Sequence, residues 1–184
     1  MKKLMCMVLS ALLLVGGALA EGVQTRERTV EKDGASAVVV ETKFESEGGY
    51  SLWYPADQIA YAASGELDCF APSGEETEEN ASSYLIVPVE IEPSEADALL
   101  AEAVGGYGED AARVEYPEKT LENGVRVGSV QVEEDGVVYR FYLVRDEAHV
   151  LCITATYPVA DAETVGAIYE AMTDTIEFAA DAAK

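Results

Sequence analysis

The chain has 184 residues, with 12 Lys and Arg against 35 Asp and Glu, so its formal net charge at pH 7 is −23. Binding to nucleic acid or to anionic lipid depends on Lys and Arg side chains that neutralise phosphate groups, and so acidic a chain is poorly suited to both. We therefore expect no nucleic-acid partner. The charge is typical of a soluble, monomeric protein, and it leaves a basic protein or divalent cations as partners.

Residues 1–20 have the pattern of a secretory signal peptide. Lys2 and Lys3 form a short positive region, an apolar run follows, and Ala18 and Ala20 are the small residues expected before a cleavage site. The apolar run is too short for a good membrane span, because crossing the hydrocarbon core takes about 20 apolar residues. We expect cleavage after Ala20, no membrane anchor afterwards, and a secreted or extracytoplasmic location in the periplasm or cell-wall space.

Cleavage leaves ten basic and 35 acidic residues, a formal charge of −25, because the signal peptide holds two lysines and no acidic residue. The length that remains is typical of one domain. Residues 21–35 form either a polar N-terminal arm or the first strand of a hairpin that turns at Asp33-Gly34. We expect a single α+β domain at 36–178 and a tail at 179–184.

Alternating side chains predict strands through the first half of this domain. Every second residue from Val38 to Phe44 lies on one face of such a strand, and the next strand, YSLWYP, ends at Pro55. Residues 56–66 are ambiguous, and we expect a helical turn among them. Further strands are expected over LDCFAP and YLIVPVEI. Pro88 in the last of these cannot donate a backbone hydrogen bond, which predicts an edge strand.

The second half is predicted to contain two helices separated by an antiparallel meander. Apolar residues recur at helical spacing over 96–104, and turn signals separate short strands between 111 and 158. The apolar parity changes beside Gly128, which predicts a β-bulge there. The final helix is expected over 161–178. Its apolar stripe consists of Val165, Ile168, Tyr169, Met172 and Ile176.

These elements describe an α+β fold in which an antiparallel β-sheet is covered by helices. Their order is similar to that of the PsbP-like family, the fold of an extrinsic photosystem protein. The resemblance is carried by GGYSLWYP at 48–55, the hairpin at 137–158 and the closing helix at 161–178. It implies an α/β/α sandwich and an accessory or binding role rather than catalysis. It carries over no functional residue, because members that share a fold differ in partner.

Cys69 and Cys152 are the two cysteines that remain after cleavage. In an exported chain a disulfide between them can persist, and it would close a long loop and stabilise the fold by roughly 4–5 kcal/mol. Two free thiols packed as small apolar groups fit their apolar neighbours equally well. The sequence leaves both alternatives open.

Four glutamates form the densest acidic run of the chain. They are Glu75, Glu76, Glu78 and Glu79. Calcium ions prefer several carboxylate oxygens, but this run lacks the alternating spacing and the distal glutamate of a dedicated calcium loop. We therefore interpret it as a solvated loop, with a metal site as the weaker alternative, and we expect no cofactor.

Motifs for nucleophilic or metal-dependent catalysis are not found in the sequence. His149 is the only histidine and follows a turn, so it has no second imidazole to act with. Four aromatic residues are candidates for a binding surface, and each either lines such a surface or packs in the core and turns. They are Trp53, Tyr54, Tyr107 and Tyr116.

We therefore predict a secreted or extracytoplasmic, non-catalytic binding or accessory domain with a protein or cell-surface partner. The alternatives are a small extracytoplasmic hydrolase that uses carboxylates, and a surface protein stabilised by calcium. A cleft that contains two inward carboxylates would favour the hydrolase.

Overall fold

The computed structural model of the chain describes residues 23–32, 35–65, 67–74, 83–88 and 94–179. In these ranges the chain forms two antiparallel β-sheets, two short α-helices, one 3₁₀ turn and one π-helical turn. The predicted signal peptide with its cleavage site at Ala20, the acidic run from Glu75 to Glu79, and residues 180–184 of the predicted tail lie outside the described residues.

The smaller sheet is built around an N-terminal hairpin. Its strands are β1 (Thr25–Lys32), β2 (Ala35–Glu45), β3 (Tyr50–Tyr54) and β11 (Glu177–Phe178), in the order β1-β2-β3-β11. The pairing of β1 with β2 shows the hairpin, rather than the polar arm, of the two alternatives predicted for this segment. β3 pairs only with residues 42–45 of β2. Residues 35–41 of β2 therefore pair with β1 and with no other strand of the described sheet.

The larger sheet contains the predicted meander. Its strands are β4 (Ile59–Ser64), β5 (Leu67–Pro72), β6 (Tyr84–Pro88), β7 (Ala112–Thr120), β8 (Arg126–Glu134), β9 (Val137–Arg145) and β10 (Val150–Pro158). Their order is β4-β5-β6-β10-β9-β8-β7, and the pairs are antiparallel throughout. The meander β7 to β10 therefore occupies one half of the sheet.

Two predictions for this sheet are wrong. The helical turn expected around residues 58–62 is not formed, because strand β4 begins at Ile59, pairs along its whole length with β5 and buries Ile59, and only residues 56–58 before it form a turn. β6 is not an edge strand, because it lies between β5 and β10. Pro88 is tolerated there because β10 pairs with residues 84–86, which precede the proline, so its missing N–H interrupts no pairing with β10.

The predicted β-bulge lies on a different strand. The register shifts between Tyr116 and Lys119 of β7, which pair with Ser129 and Val127 of β8, so the extra residue lies on β7 directly opposite Gly128. The apolar parity changes within β8 because both faces of that strand are covered. Val127 packs in the main core, whereas Val132, on the other face, is also completely buried.

The main core lies between the two sheets and the C-terminal helical segment. This segment comprises a 3₁₀ turn (Val159–Asp161), a π-helical turn (Ala162–Gly166) and α2 (Ala167–Thr173). It ends earlier than predicted, because residues 177 and 178 pair with β3 as strand β11. The whole predicted stripe nevertheless packs in the main core, namely Val165, Ile168, Tyr169, Met172 and Ile176.

α1 (Ala96–Gly105) packs on the other face of the larger sheet, where Ala96 and Leu100 contact Leu143 and Val150. The predicted apolar face of α1 is only partly buried, since Leu99 is 41% exposed. The antiparallel architecture is thus as predicted, but the fold is richer in strands than an α+β domain whose sheet is covered by helices. The smaller sheet closes much of the core that helices were expected to cover.

Gly166 offers a test of how tightly this core is packed. A Cβ atom on Gly166 would lie 2.8 Å from Cζ of Tyr157, and both residues are buried. We expect Gly166→Ala to lower the free energy of unfolding by about 1–3 kcal/mol, because a packed ring cannot shift without strain. Denaturant unfolding followed by circular dichroism measures the change.

The matched control is Gly105→Ala at the end of α1, where an added Cβ would meet nothing within 4 Å. It should leave the stability unchanged or raise it by up to about 1 kcal/mol, because alanine favours the helix. Equal effects of the two substitutions would contradict the packing argument.

Candidate functional site

A cleft of about 560 Å³ lies between the β1–β2 hairpin and the C-terminal helical segment. We call it the hairpin cleft. Its volume is within the usual range of small-ligand sites. The hairpin wall consists of Arg28, Val30 and Val39, the helical wall of Glu163, Thr164, Ala167, Ile168 and Ala171, and the turn after β3 adds Pro55 and Gln58.

Strand alternation explains the chemistry of the hairpin wall. Arg28 pairs with Val39, and Arg26 pairs with Glu41, so these side chains share one face of the hairpin. Val38 lies on the other face and is 61% exposed. The face toward the helical segment therefore combines apolar side chains with an ionic cluster.

Glu41 is the centre of this ionic cluster and is 1% exposed. Nε of Arg26 donates to one carboxylate oxygen of Glu41 at 2.8 Å, and Nε of Arg28 donates to the other at 2.7 Å. Cζ of Arg26 also lies 4.6 Å from the centroid of the Trp53 ring, which is cation–π geometry. A carboxylate at this depth is stable only when paired and hydrogen-bonded, and two guanidinium groups supply both conditions.

Arg28 keeps its terminal nitrogens available. Its Nε is bonded to Glu41, and within the described parts of the chain neither of its Nη atoms has a hydrogen-bond partner. The Arg28 side chain is 36% exposed. A guanidinium held through Nε presents its remaining N–H groups as a planar donor set, which suits a carboxylate.

The hairpin cleft does not assemble the pair of carboxylates that a hydrolase would use. Among its described lining residues Glu163 is the one carboxylate, and Glu41 is already paired with two arginines. The described residues also contain no group of three or more His, Cys, Asp or Glu side chains that could hold a metal ion.

A second depression, of about 600 Å³, lies between two turns of the larger sheet. Its lining is polar and charged apart from one alanine and one glycine. It consists of Asn123, Gly124, Arg126, Asp146, Glu147 and Ala148. Ligand sites are usually lined mainly by apolar side chains, so the hairpin cleft is the better candidate.

Two of the four aromatic candidates lie near the hairpin cleft. Trp53 stacks with Arg26 and so supports the ionic cluster. Tyr54, its neighbour on β3, instead packs in the main core against Phe70, with ring centroids 5.5 Å apart. Adjacent strand residues point to opposite faces, so these two rings cannot form one surface.

The other two aromatic candidates lie elsewhere. Tyr107 follows α1 and packs against Tyr139, with ring centroids 4.8 Å apart. Tyr116 lies on the edge strand β7, where its ring lies 4.4 Å from Cζ of Arg140. The four aromatic residues are therefore not brought together. Sequence reasoning also missed the ionic cluster, although Arg26, Arg28 and Glu41 were visible on facing strands of the predicted hairpin.

Asp68 is a buried carboxylate that serves the core and not the cleft. It accepts hydrogen bonds from the hydroxyl groups of Tyr50 at 2.6 Å, Tyr61 at 2.9 Å and Ser46. Burial, together with the bond to Asp68, raises the pKa values of Tyr50 and Tyr61, so both phenols remain neutral donors. This network fastens β4 and β5 of the larger sheet to β3.

The two cysteines are free thiols in the structure, which is the second of the alternatives left open by the sequence. Cys69 pairs with Ile86 of β6, and Ile86 pairs in turn with Thr154 of β10. A whole strand thus separates the cysteines, which puts their Cα atoms at least about 10 Å apart, beyond the reach of a disulfide. Burial also raises the pKa of Cys69 to about 11, which makes it a poor nucleophile.

His149 lies in the turn before β10, as predicted. Its Nδ1 is 3.1 Å from both carboxylate oxygens of Asp146, and its ring stacks on Phe178 with centroids 5.1 Å apart. Although burial opposes the change, backbone N–H groups of Ala148 and His149 and the His149 ring hold the pKa of Asp146 below its usual value. These contacts to Asp146 stabilise the turn between β9 and β10.

Comparisons with known proteins give a likeness of fold. No protein-family model and no curated protein matches the chain. The solution structure of cyanobacterial PsbP (CyanoP) from Synechocystis sp. PCC 6803 is similar at a TM-score of 0.48 and 10% identity, covering 91% of this chain and 98% of that one. The fold resembles PsbP. The resemblance predicted from the sequence is thus confirmed, and at this TM-score it identifies no partner or activity.

A second similar structure is a crystal structure, at 1.50 Å resolution, of a protein from Bacteroides thetaiotaomicron VPI-5482. Its TM-score is 0.48 and its identity 16%, and the likeness covers 77% of this chain. The chain spans half the length of that protein.

Loss of the buried charge at Glu41 should destabilise the hairpin. We expect Glu41→Gln to lower the free energy of unfolding by about 1–3 kcal/mol, because it leaves two arginines without their buried partner while both keep some access to water. Glu45→Gln on the same strand is the control, since that side chain is 70% exposed. It should change stability by less than about 1 kcal/mol in urea unfolding. Equal losses would contradict the central place of Glu41.

Proposed function

We propose that the chain is an extracytoplasmic, non-catalytic binding domain that holds an apolar part of a protein or cell-surface component in the hairpin cleft. The observation that carries the proposal is the composition of the cleft: Val30, Val39, Ala167 and Ile168 provide apolar walls beside a single fixed guanidinium, that of Arg28. Binding sites commonly combine an apolar lining with a few fixed polar groups.

The hydrolase alternative has less support. A glycosidase would use two carboxyl groups across its cleft, whereas Glu163 is the one carboxylate among the described lining residues. The free cysteines and His149 lie outside the lining of the cleft.

The scaffold that we propose for this role is the α/β/α sandwich implied by the family resemblance. Two sets of contacts support it. α2 packs in the main core through Tyr169 and Met172, and α1 packs on the opposite face of the larger sheet through Ala96. In such a scaffold the hairpin cleft is at the side of the domain, where β1 and β2 extend past β3.

The extracytoplasmic location is supported by the pattern of residues 1–20. In the described part of the chain, no helix is long and apolar enough to cross a membrane. We propose that the exported chain is a monomer that starts at Glu21.

Blocking the cleft tests the binding role. The neutral, apolar fluorophore N-phenyl-1-naphthylamine should bind the purified chain with a rise in fluorescence, and Ala167→Trp should weaken its binding at least tenfold by filling the cleft. Ala167 is exposed, so the larger side chain does not enter the core. Ala98→Trp, at an exposed position of α1, is the control and should bind the probe normally. Absence of binding, or equal loss in both variants, would contradict the proposed site.

Export is tested by expressing the full chain in a bacterial host. The product in the extracytoplasmic fraction should have the intact mass of residues 21–184. Ala20→Arg should block processing, because signal cleavage requires a small residue before the cut, whereas Gln24→Arg should leave it unchanged. A full-length product retained in the cytoplasm would contradict the proposed location.

A further inference from the structure

We infer that Arg28 makes the hairpin cleft a site for a carboxylate carried on an apolar body. The chemical class comprises fatty acids and apolar peptides with a free C terminus. This inference rests on the proposed function, because it requires the cleft to be a binding site, and it adds which ligands the cleft prefers.

The first step is the local charge. Two guanidinium groups, those of Arg26 and Arg28, share the single carboxylate of Glu41, so the cluster carries one net positive charge. Arg26 uses both Nε and Nη2 on Glu41, whereas Arg28 uses only Nε. The unused donors of the cluster are therefore concentrated on the arginine that lines the cleft.

The second step is that Arg28 is already fixed. Its Nε is held 2.7 Å from a fully buried carboxylate, and that carboxylate is held from its other side by Arg26. Arg26 is in turn stacked on Trp53. A side chain held in this way loses little conformational entropy when a ligand arrives, so most of the hydrogen-bond energy remains available for binding.

The third step is the apolar body of the ligand. Val30 and Val39 on the hairpin and Ala167, Ile168 and Ala171 on the helical wall offer apolar surface beside the guanidinium. Each methylene group that a ligand buries there should strengthen binding roughly fourfold. A small hydrophilic carboxylate such as acetate therefore gains little from the site, and an aliphatic carboxylate gains much more.

Glu163 limits the number of negative charges that the cleft accepts. It lies on the helical wall, and no described residue forms a hydrogen bond or ion pair with its side chain. A second anionic group on the ligand would be repelled by this carboxylate. The site therefore favours a ligand with one carboxylate over a dicarboxylate or a phosphate dianion.

The test is displacement of N-phenyl-1-naphthylamine by decanoate and by 1-decanol, which share a ten-carbon chain. In the unmodified chain decanoate should bind at least tenfold more tightly than 1-decanol. Arg28→Gln should abolish this preference by weakening the binding of decanoate at least tenfold more than the binding of 1-decanol. Glu163→Gln should strengthen decanoate binding by a few fold, because it removes a repulsive charge. Arg126→Gln, outside the hairpin cleft and 43% exposed at its side chain, should behave like the unmodified chain.

A second arm distinguishes the source of the carboxylate. It uses an N-acetylated apolar pentapeptide with either a free or an amidated C terminus. Preference for the free acid, lost in Arg28→Gln, supports the inference with a peptide as ligand. Preference for decanoate without peptide binding supports it with a lipid-derived acid.

Equal affinity for decanoate and 1-decanol, or a preference that survives in Arg28→Gln, would overturn the inference and leave the apolar binding role in place. Failure of the unmodified chain to bind even the neutral fluorophore would overturn both. Retained binding of that fluorophore by Arg28→Gln shows that the variant is folded, since the probe carries no charge for Arg28 to recognise.

Discussion

The carboxylate of Glu41 is the interaction on which the candidate site depends. It is 1% exposed, and a charge at that depth is tolerated only because Arg26 and Arg28 donate to it from the neighbouring strand. The two strands are thereby tied together where β2 has no support from β3. Arg28 also lines the cleft, so one buried charge contributes to both the stability of the hairpin and the chemistry of the site.

The cleft is bounded by three elements, namely the β1–β2 hairpin, the turn after β3 and the C-terminal helical segment. The β1–β2 hairpin extends beyond β3, and the helical segment that packs beside it has its apolar stripe directed into the main core. Its small residues Ala167 and Ala171 remain for the side that lines the cleft. Larger residues at these positions would fill the space between helix and hairpin. The cavity is thus specified by small side chains on an otherwise well-packed helix, whose neighbour Gly166 is pressed against the Tyr157 ring.

Local periodicity was sufficient to predict most strands and the stripe of the final helix, because those patterns report which face of an element is buried. It failed where a residue's neighbours come from distant parts of the chain. Pro88 was assigned to an edge, yet it lies in a central strand whose pairing with β10 stops before the proline. The parity change near Gly128 came from burial on both faces of β8 and not from a bulge in that strand.

The candidate site could not be predicted from the sequence either, because its residues come from distant parts of the chain. Arg28 and Glu41 are on paired strands, but nothing in their spacing shows that a helix more than 120 residues later covers one side of that pair. Aromatic residues drew attention because they often make binding surfaces, yet Tyr54 packs in the core and Tyr107 packs against Tyr139. The candidate site is instead marked by an ionic cluster that faces an apolar wall. The two come together only in the folded chain.

The overall charge and the charge at the cleft act at different ranges. A net charge of −23 repels anionic ligands from a distance, but at physiological ionic strength this field decays over about 8 Å. At contact the ligand meets Arg28, whose own carboxylate partner is shared with a second arginine. The long-range field therefore lowers the rate at which an anion arrives, while the local guanidinium slows its departure. A ligand with a single carboxylate is repelled less by the net charge than a dianion, and its apolar body adds contacts with the walls beside Arg28.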